Sequence, residues 1–301
     1  LDERDCRILI ELTRAPFASL ADLGRALGVS ATAAKARLDR LADAGTYRGL
    51  VAAPAARALG KHDRLAVWSR APPDAEPAQL LAAPEVAWAS RAYPTSTVAM
   101  LYRDDPDAPL PRELLAAAGR APDAVVTPAD PSRAADHLPL SPLDWRIVDA
   151  LLDEPRATAR ALAARAGLSA RTARARRDAL LASGLLGVFP SVDATLEEGS
   201  ILYNAYVALE RPEDARALRL ADAHRIVTHH APPAVFLVGF VRTYAEAHVA
   251  EEKLRAAPGV RDVTFSVPQG TLVARDRVAA WTRAEIAKWD RARRRPLAGT
   301  T

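Results

Sequence analysis

Residues 143–187 read LDWRIVDALLDEPRATARALAARAGLSARTARARRDALLASGLLG. Their spacing predicts three short helices and a turn into a strand. Leu143, Ile147, Val148 and Leu151 share one helical face. A second helix spans 157–166 and stops at Gly167, a residue suited to a helix C-cap. Ser169 is a natural N-cap for a third helix, 170–183, closed by Gly184. This is the order of a helix-turn-helix, whose last helix enters the DNA major groove. That helix carries Arg171, Arg174, Arg176 and Arg177 against a single acid, Asp178. Phosphate neutralisation and guanine reading both need such charge. A basic helix is more often only a solvated face, so the arginines alone decide little; the frame around them carries the reading. The candidate DNA contacts here are Ser169, Arg171, Thr172, Arg174, Arg176 and Arg177. Arg171 and Arg174, near the helix start, are expected to face bases, and Arg176 and Arg177 to meet phosphates.

The same frame occurs earlier, in ERDCRILIELTRAPFASLADLGRALGVSATAAKARLDRLADAG, residues 3–45. Gly28-Val29-Ser30 falls on Gly167-Leu168-Ser169. At that offset, without a gap, Asp5 meets Asp144, Ile8 meets Ile147, Pro16 meets Pro155, Arg37 meets Arg176 and Gly45 meets Gly184. The register persists beyond the helices: Leu65–Trp68 overlays Asn204–Val207, and Val98–Leu101 overlays Leu237–Phe240. A repeat outranks any single motif, because it fixes the architecture. The chain reads as one two-domain unit written twice, with halves of approximately 1–138 and 139–301. The first copy offers Ser30, Thr32, Lys35 and Arg37 as DNA contacts, and its helix 30–44 also bears Asp39 and Asp43. Its charge is much weaker, so the second copy is expected to dominate affinity for an asymmetric site.

Composition sets the bounds. The chain has 301 residues, half of them hydrophobic, a formal charge of +4 and one cysteine, Cys6. That is enough length for four small domains. The mild basic excess does not by itself call for nucleic acid. Cys6 stands where Trp145 stands in the second copy, which predicts core packing and suits a reducing cytosol. No apolar run approaches membrane-spanning length, so no membrane partner is expected and the location expected is cytoplasmic.

After each three-helix unit the period changes. Tyr47–Ala53 reads as an extended wing. From 63 the order is strand, short helix, strand, strand, helix, strand, the ferredoxin-like split β-α-β-β-α-β. The second half repeats it, with a helix expected at 213–223 and strands RIVTHHA and AVFLVGFVR broken by Pro232-Pro233. The fold class is therefore α+β. The domains read as 1–53 winged helix-turn-helix, 63–130 ferredoxin-like, 131–142 linker, 143–192 winged helix-turn-helix, 200–274 ferredoxin-like, and 275–301 a C-terminal helix and basic tail. The tryptophans of 276–295 are expected to pack that helix onto a sheet or the sister half. Its Arg291–Arg295 run reads as a solvated tail.

A winged helix-turn-helix followed by a β-α-β-β-α-β domain resembles the Lrp/AsnC family of prokaryotic transcriptional regulators. The residues that carry the resemblance are 143–187, then VFPSVDATLEEGSILYNAYVALE, and LRAAPGVRDVTFSVPQGTL near the end. The resemblance implies RAM-like small domains, double-stranded DNA as partner, and an intramolecular pseudo-dimer open to further homo-oligomerisation. It also implies a small-molecule effector. However, the family's Gly-and-Asp turn beside the effector site is replaced by HHAPPAVF and SRAYPTSTV, which contain no glycine. Candidate ligand residues there are His229, His230, Ser90 and Arg91.

No P-loop, dinucleotide fingerprint, zinc-spaced cysteines or nucleophile elbow is present, so neither a cofactor nor an enzymatic activity is expected. The alternative is a tetrapyrrole enzyme: siroheme decarboxylases share this domain pair. The fragments Val227-Thr228-His229 and Ala15-Pro16-Phe17 are slightly similar to theirs. Against this, Ser90-Arg91 stands where the second half has His229-His230.

Overall fold

The computed structural model describes residues 1–68, 76–94, 96–126, 140–216, 218, 223–230 and 232–294. The first helix-turn-helix comprises α1 (Glu3–Arg14), α2 (Leu20–Leu27) and α3 (Ala31–Asp43), followed by β1 (Tyr47–Pro54). The first ferredoxin-like unit contains β2 (His62–Trp68), α4 (Pro77–Leu80), β3 (Val86–Tyr93), β4 (Ser96–Arg103), α5 (Arg112–Ala118) and β5 (Ala124–Val126). In the second copy α6 (Pro142–Asp153), α7 (Ala159–Ala166) and α8 (Ala170–Ala182) lead into β6 (Leu186–Val192). Next come β7 (Ile201–Leu209), β8 (Ala223–His230), β9 (Pro233–Val241), α9 (Tyr244–Arg255), β10 (Val260–Val273) and α10 (Arg275–Arg294). Of the helix expected at 213–223, Pro212–Arg216 forms a 3-10 turn, and residues 217 and 219–222 lie outside the described residues. So does 131–139 of the expected linker, whose last residue, Pro142, opens α6 behind the N-cap Ser141.

Local chemistry sets the helix ends. Asp2 with Asp5, Ser19 with Asp22, and Ser141 with Asp144 each form reciprocal capping boxes, which satisfy two otherwise orphaned N–H donors. Gly28 and Gly167 stop α2 and α7 at φ of 68° and 69°, a conformation that costs other residues a steric clash.

The strands form one eight-stranded sheet in the order β5-β2-β4-β3-β10-β7-β9-β8. Within each half the last strand flanks the first, as a ferredoxin-like fold requires. The halves join edge to edge in one continuous strand order. The reason is β10, which at 14 residues is far longer than an ordinary strand. Val260–Ser266 pairs with β7, the register shifts between Pro268 and Thr271, and the remainder pairs antiparallel with β3. At this seam Ser90 Oγ donates to the Gly270 carbonyl at 3.0 Å, and Thr271 Oγ1 donates to Ser90 Oγ at 3.2 Å.

The expected wing is not free either. β1 pairs antiparallel with β6 as a separate two-stranded ribbon, Leu50 opposite Pro190 and Val51 opposite Phe189. Phe189 and Pro190 are the repeat counterparts of Leu50 and Val51, so the ribbon pairs each copy with itself across a local two-fold axis. Leu50, Val51, Ala52 and Ala53 are all buried, which a solvent-facing wing would not be. Ser191 Oγ on β6 donates to the Thr271 carbonyl at 3.0 Å and fastens the ribbon over the seam.

Above the ribbon the units cross over. The core of the first helix-turn-helix, with Cys6, Ile8, Leu9 and Leu12, continues into Leu202, Val238 and Phe240 of the second sheet half. The core of the second, with Trp145, Ile147, Val148 and Leu151, continues into Ala87, Met100 and Tyr102 of the first. As expected, Cys6 packs in a core; burial pushes its thiol pKa up to about 12. The C-terminal helix α10 completes the second of these cores: Trp281 stacks on Tyr102 at 5.7 Å, and Arg277 Nη1 donates to the carbonyls of Ala83 and Val86 at 2.8 and 2.6 Å. No helix among the described residues is long and apolar enough to cross a membrane.

Because the cores are shared, damage to one half reaches the other. Trp145 is 1% exposed, and Trp145→Ala is expected to cost about 3–5 kcal/mol. Amide exchange should show protection lost in β3 and β4 of the first half as well as in α6–α8. Loss confined to the second helix-turn-helix would show that the crossing does not couple the halves.

Candidate nucleic-acid interface

The two helix-turn-helix units differ in how their cations are engaged. In the first, every basic side chain of α2 and α3 has an acidic partner. Arg25 lies 3.2 Å from Asp22, and Lys35 lies 2.5 Å from Asp39. Arg37 Nη1 bonds Asp2 at 2.6 Å and Asp5 at 2.8 Å; Arg40 bonds Asp5 at 2.5 Å and Glu197 at 3.2 Å. Asp5 is a buried carboxylate at 1% exposure, and the two guanidinium groups compensate its lost hydration. Arg37 thus fastens α3 to the start of α1, which corrects its assignment as a DNA contact. Burial raises the pKa of Asp2, but the bonds from Arg37 and the Asp5 N–H outweigh it and hold the carboxyl below its ordinary range. Ser30 caps α3, its Oγ accepting from the Ala33 N–H at 3.1 Å, while Thr32 is exposed at the helix start.

In the second unit Arg176 repeats the role of Arg37: Nη1 reaches Asp144 at 2.8 Å and Ser141 Oγ at 3.1 Å. Arg177 is buried, bonded to Asp178 at 2.7 Å, with its guanidinium carbon 4.0 Å from the centre of the Phe17 ring. Both are already engaged within the protein. The two arginines expected to touch the backbone therefore hold the protein together. The cause is helix rotation: Ala173, Arg177 and Leu180 form the inward face of α8.

The outward face of α8 carries the remaining candidates. Arg171 is exposed and forms no ion pair among the described residues. Arg174 is 71% exposed at the side chain, with Asp178 at a loose 3.7 Å. Ser169 Oγ caps the helix by accepting from the Thr172 N–H, and the two hydroxyls lie 2.8 Å apart. Beside them is a residue the sequence reading missed. Arg160, in the first turn of α7 behind the N-cap Thr158, is exposed and also without an ion pair among the described residues. Its repeat counterpart is Ala21, and that of Arg171 is Thr32. Comparing the aligned copies position by position would have exposed it. At the first turns of the last two helices, one copy presents uncommitted arginine and the other presents neutral side chains.

The candidate ligand residues fall on two strands, one pair in each half. Ser90 is consumed by the seam, and Arg91 Nη1 bonds Glu76. His229 and His230 lie on β8, the far edge strand, three strands beyond β10, and their side chains lie outside the described residues. Four steps in the strand order separate β3 from β8, so the two pairs stand at corresponding places in the two halves. Among the described residues there is no cluster of His, Cys, Asp and Glu that could hold a metal ion.

Residues 1–42 match an AsnC-type helix-turn-helix domain, and residues 140–186 match a winged helix-turn-helix DNA-binding domain. No curated protein matches the chain in sequence. Among solved structures, the siroheme decarboxylase NirDL is similar at 13% identity, covering 95% of this chain and 99% of its own, with a TM-score of 0.39. The leucine response regulatory protein LrpA of Mycobacterium tuberculosis is 26% identical over 46% of this chain and all of its own, with a TM-score of 0.32. AsnC of E. coli is 20% identical over 42% of this chain and 89% of its own, with a TM-score of 0.24. The chain carries the same order of parts twice, a helix-turn-helix followed by a ferredoxin-like sheet half.

Arg37→Ala and Arg176→Ala test the reassignment. Arg37→Ala leaves a buried carboxylate with one partner fewer and is expected to lower stability by about 1–3 kcal/mol, read by denaturant melts without DNA. A melt unchanged by both substitutions would return these arginines to the DNA. A carboxyl held low stabilises the fold above its ordinary range, and that stability is lost as pH falls through the lowered value. The drop in melting temperature between pH 5 and pH 3 should therefore shrink in Arg37→Ala.

Proposed function

We propose that the chain is a sequence-specific, DNA-binding transcriptional regulator of the Lrp/AsnC type, a fused duplicate that reads an asymmetric site with the second helix-turn-helix dominating affinity. The observation that carries this is the uncommitted cationic face of α7 and α8, set against the fully paired cations of α2 and α3. Arg160 at the first turn of α7 takes a phosphate, where the helix dipole also favours an anion. Arg171 and Arg174 point outward from the start of α8, the part of a recognition helix that meets base edges, and bidentate contact with guanine is the pairing their geometry favours. A homodimer must present two identical helices and so prefers a palindrome; a fusion is free to divide the labour.

Duplexes selected from a random pool by the intact chain supply the probe. Replacing Arg160 and Arg171 by alanine together should lower the slope of log affinity against log salt by about 1, for the phosphate contact, and cost a further ~1–3 kcal/mol for the lost base contact. Replacing Thr32 and Lys35 by alanine should change affinity by no more than about threefold, less than one good base contact. Equal losses from the two pairs would sink the asymmetry. Absence of any salt-sensitive enrichment would sink the DNA reading altogether.

A further inference from the structure

The two helix-turn-helix units touch one another directly, and the contact is not symmetric. The turn between α1 and α2 of the first unit, Ala15–Ala18, lies against the second unit, where the Phe17 ring packs on its core and covers the Arg177 guanidinium at 4.0 Å. The matching turn of the second unit reaches back: Arg156 Nη2 donates to the Ala18 carbonyl at 3.4 Å. Arg156 is the repeat counterpart of Phe17, and Leu38 that of Arg177. The mirror-image contact would pair Arg156 with Leu38, but Leu38 is buried in the core of its own unit. A single aromatic–guanidinium stack therefore supplies what symmetry does not. Stacked and half-desolvated, such a contact is directional as well as attractive.

We propose that the Phe17–Arg177 stack, assisted by the Arg156–Ala18 bond, holds the two recognition helices at one fixed separation, making Phe17 a positioning residue for half-site spacing. This rests on the DNA reading above. Two factors together restrain the separation: the β1–β6 ribbon joins the units at their base, and the stack joins them at the level of α8 itself. With both in place, the second unit's encounter with DNA presents the weak first unit to only one register of the duplex. Rigid linkage raises effective concentration at the matching spacing and lowers it elsewhere.

The intact chain is tested with and without DNA. Ala36 on α3 and Ala175 on α8 are exposed, so Ala36→Cys with Ala175→Cys gives two sites for spin labels. Cys6 stays silent, because its buried thiol is raised to about 12. Without DNA, one narrow inter-label distance is expected, broadening in Phe17→Ala with Arg156→Ala and restored in Phe17→Tyr. On duplexes carrying the selected half-sites at varied separations, the unsubstituted chain should prefer one spacing by about tenfold. In Phe17→Ala that preference should flatten, with affinity for the isolated second half-site unchanged. A broad distance in the unsubstituted chain overturns the proposal, as does a distance or spacing preference that Phe17→Ala leaves intact. If no duplex binds while the distance is narrow and depends on Phe17, the DNA reading fails and the stack keeps its positioning role.

Discussion

The molecule depends on the pairing of Leu50–Pro54 with Leu186–Pro190. A short three-helix unit has one apolar face and no sheet of its own beneath it; here the ribbon delivers each unit to the sheet half of the other copy. Once β1 and β6 pair, the buried faces of α1 and α6 have only those surfaces to cover. The shared cores, the edge-to-edge sheet and the direct contact between the two helix-turn-helix units accompany that one ladder. About its local two-fold axis each segment meets its own repeat counterpart, and backbone hydrogen bonds rather than side chains do the pairing.

Away from the axis the copies have separated in chemistry. Arg37 and Arg176 keep the same structural bond to Asp5 and Asp144, because a helix-turn-helix needs its last helix fastened to its first. The solvent-facing positions are under no such constraint. On the last two helices of each unit, one copy keeps arginine without an ion pair among the described residues, while the other has neutral residues or cations already paired. A charge census by helix would score both α3 and α8 as basic; the ion-pair geometry shows that only α8 has cation to spare.

This explains how far the sequence could be read. The helices of both helix-turn-helix units, their caps, the repeat and the strand order were legible, since each depends on residues near in sequence or on a period; the helix expected at 213–223 is a 3-10 turn over Pro212–Arg216. The edge-to-edge sheet was not, because nothing in the hydrophobic alternation of β10 says that its last residues leave β7 for β3. The partner of the wing was hidden for the same reason: Tyr47–Ala53 reads as extended, but the strand it pairs with lies in the other copy. Arg177 was taken for a phosphate ligand because its neighbours are arginines, whereas its partner Phe17 is distant in sequence. The structural role of Arg37 and Arg176 did leave a trace. Both they and their acidic partners recur at matched positions, and a charge kept with its opposite in two copies is evidence of an internal bond.

The crossed packing also governs when the protein can fold. Glu3 on α1 bonds Arg242, a separation of 239 residues, and the apolar face of α1 rests on β9 just before it. During synthesis that face has no destination until β9 emerges from the ribosome, which at ordinary elongation rates is on the order of ten to fifty seconds. The seam is later still, for β3 gains its neighbour only when β10 is complete. Fusion removes the need to find a second chain, but it does not make the contacts local. The nascent first half therefore spends that interval with an open sheet edge and an uncovered helix face, the surfaces that chaperones recognise and that aggregation exploits.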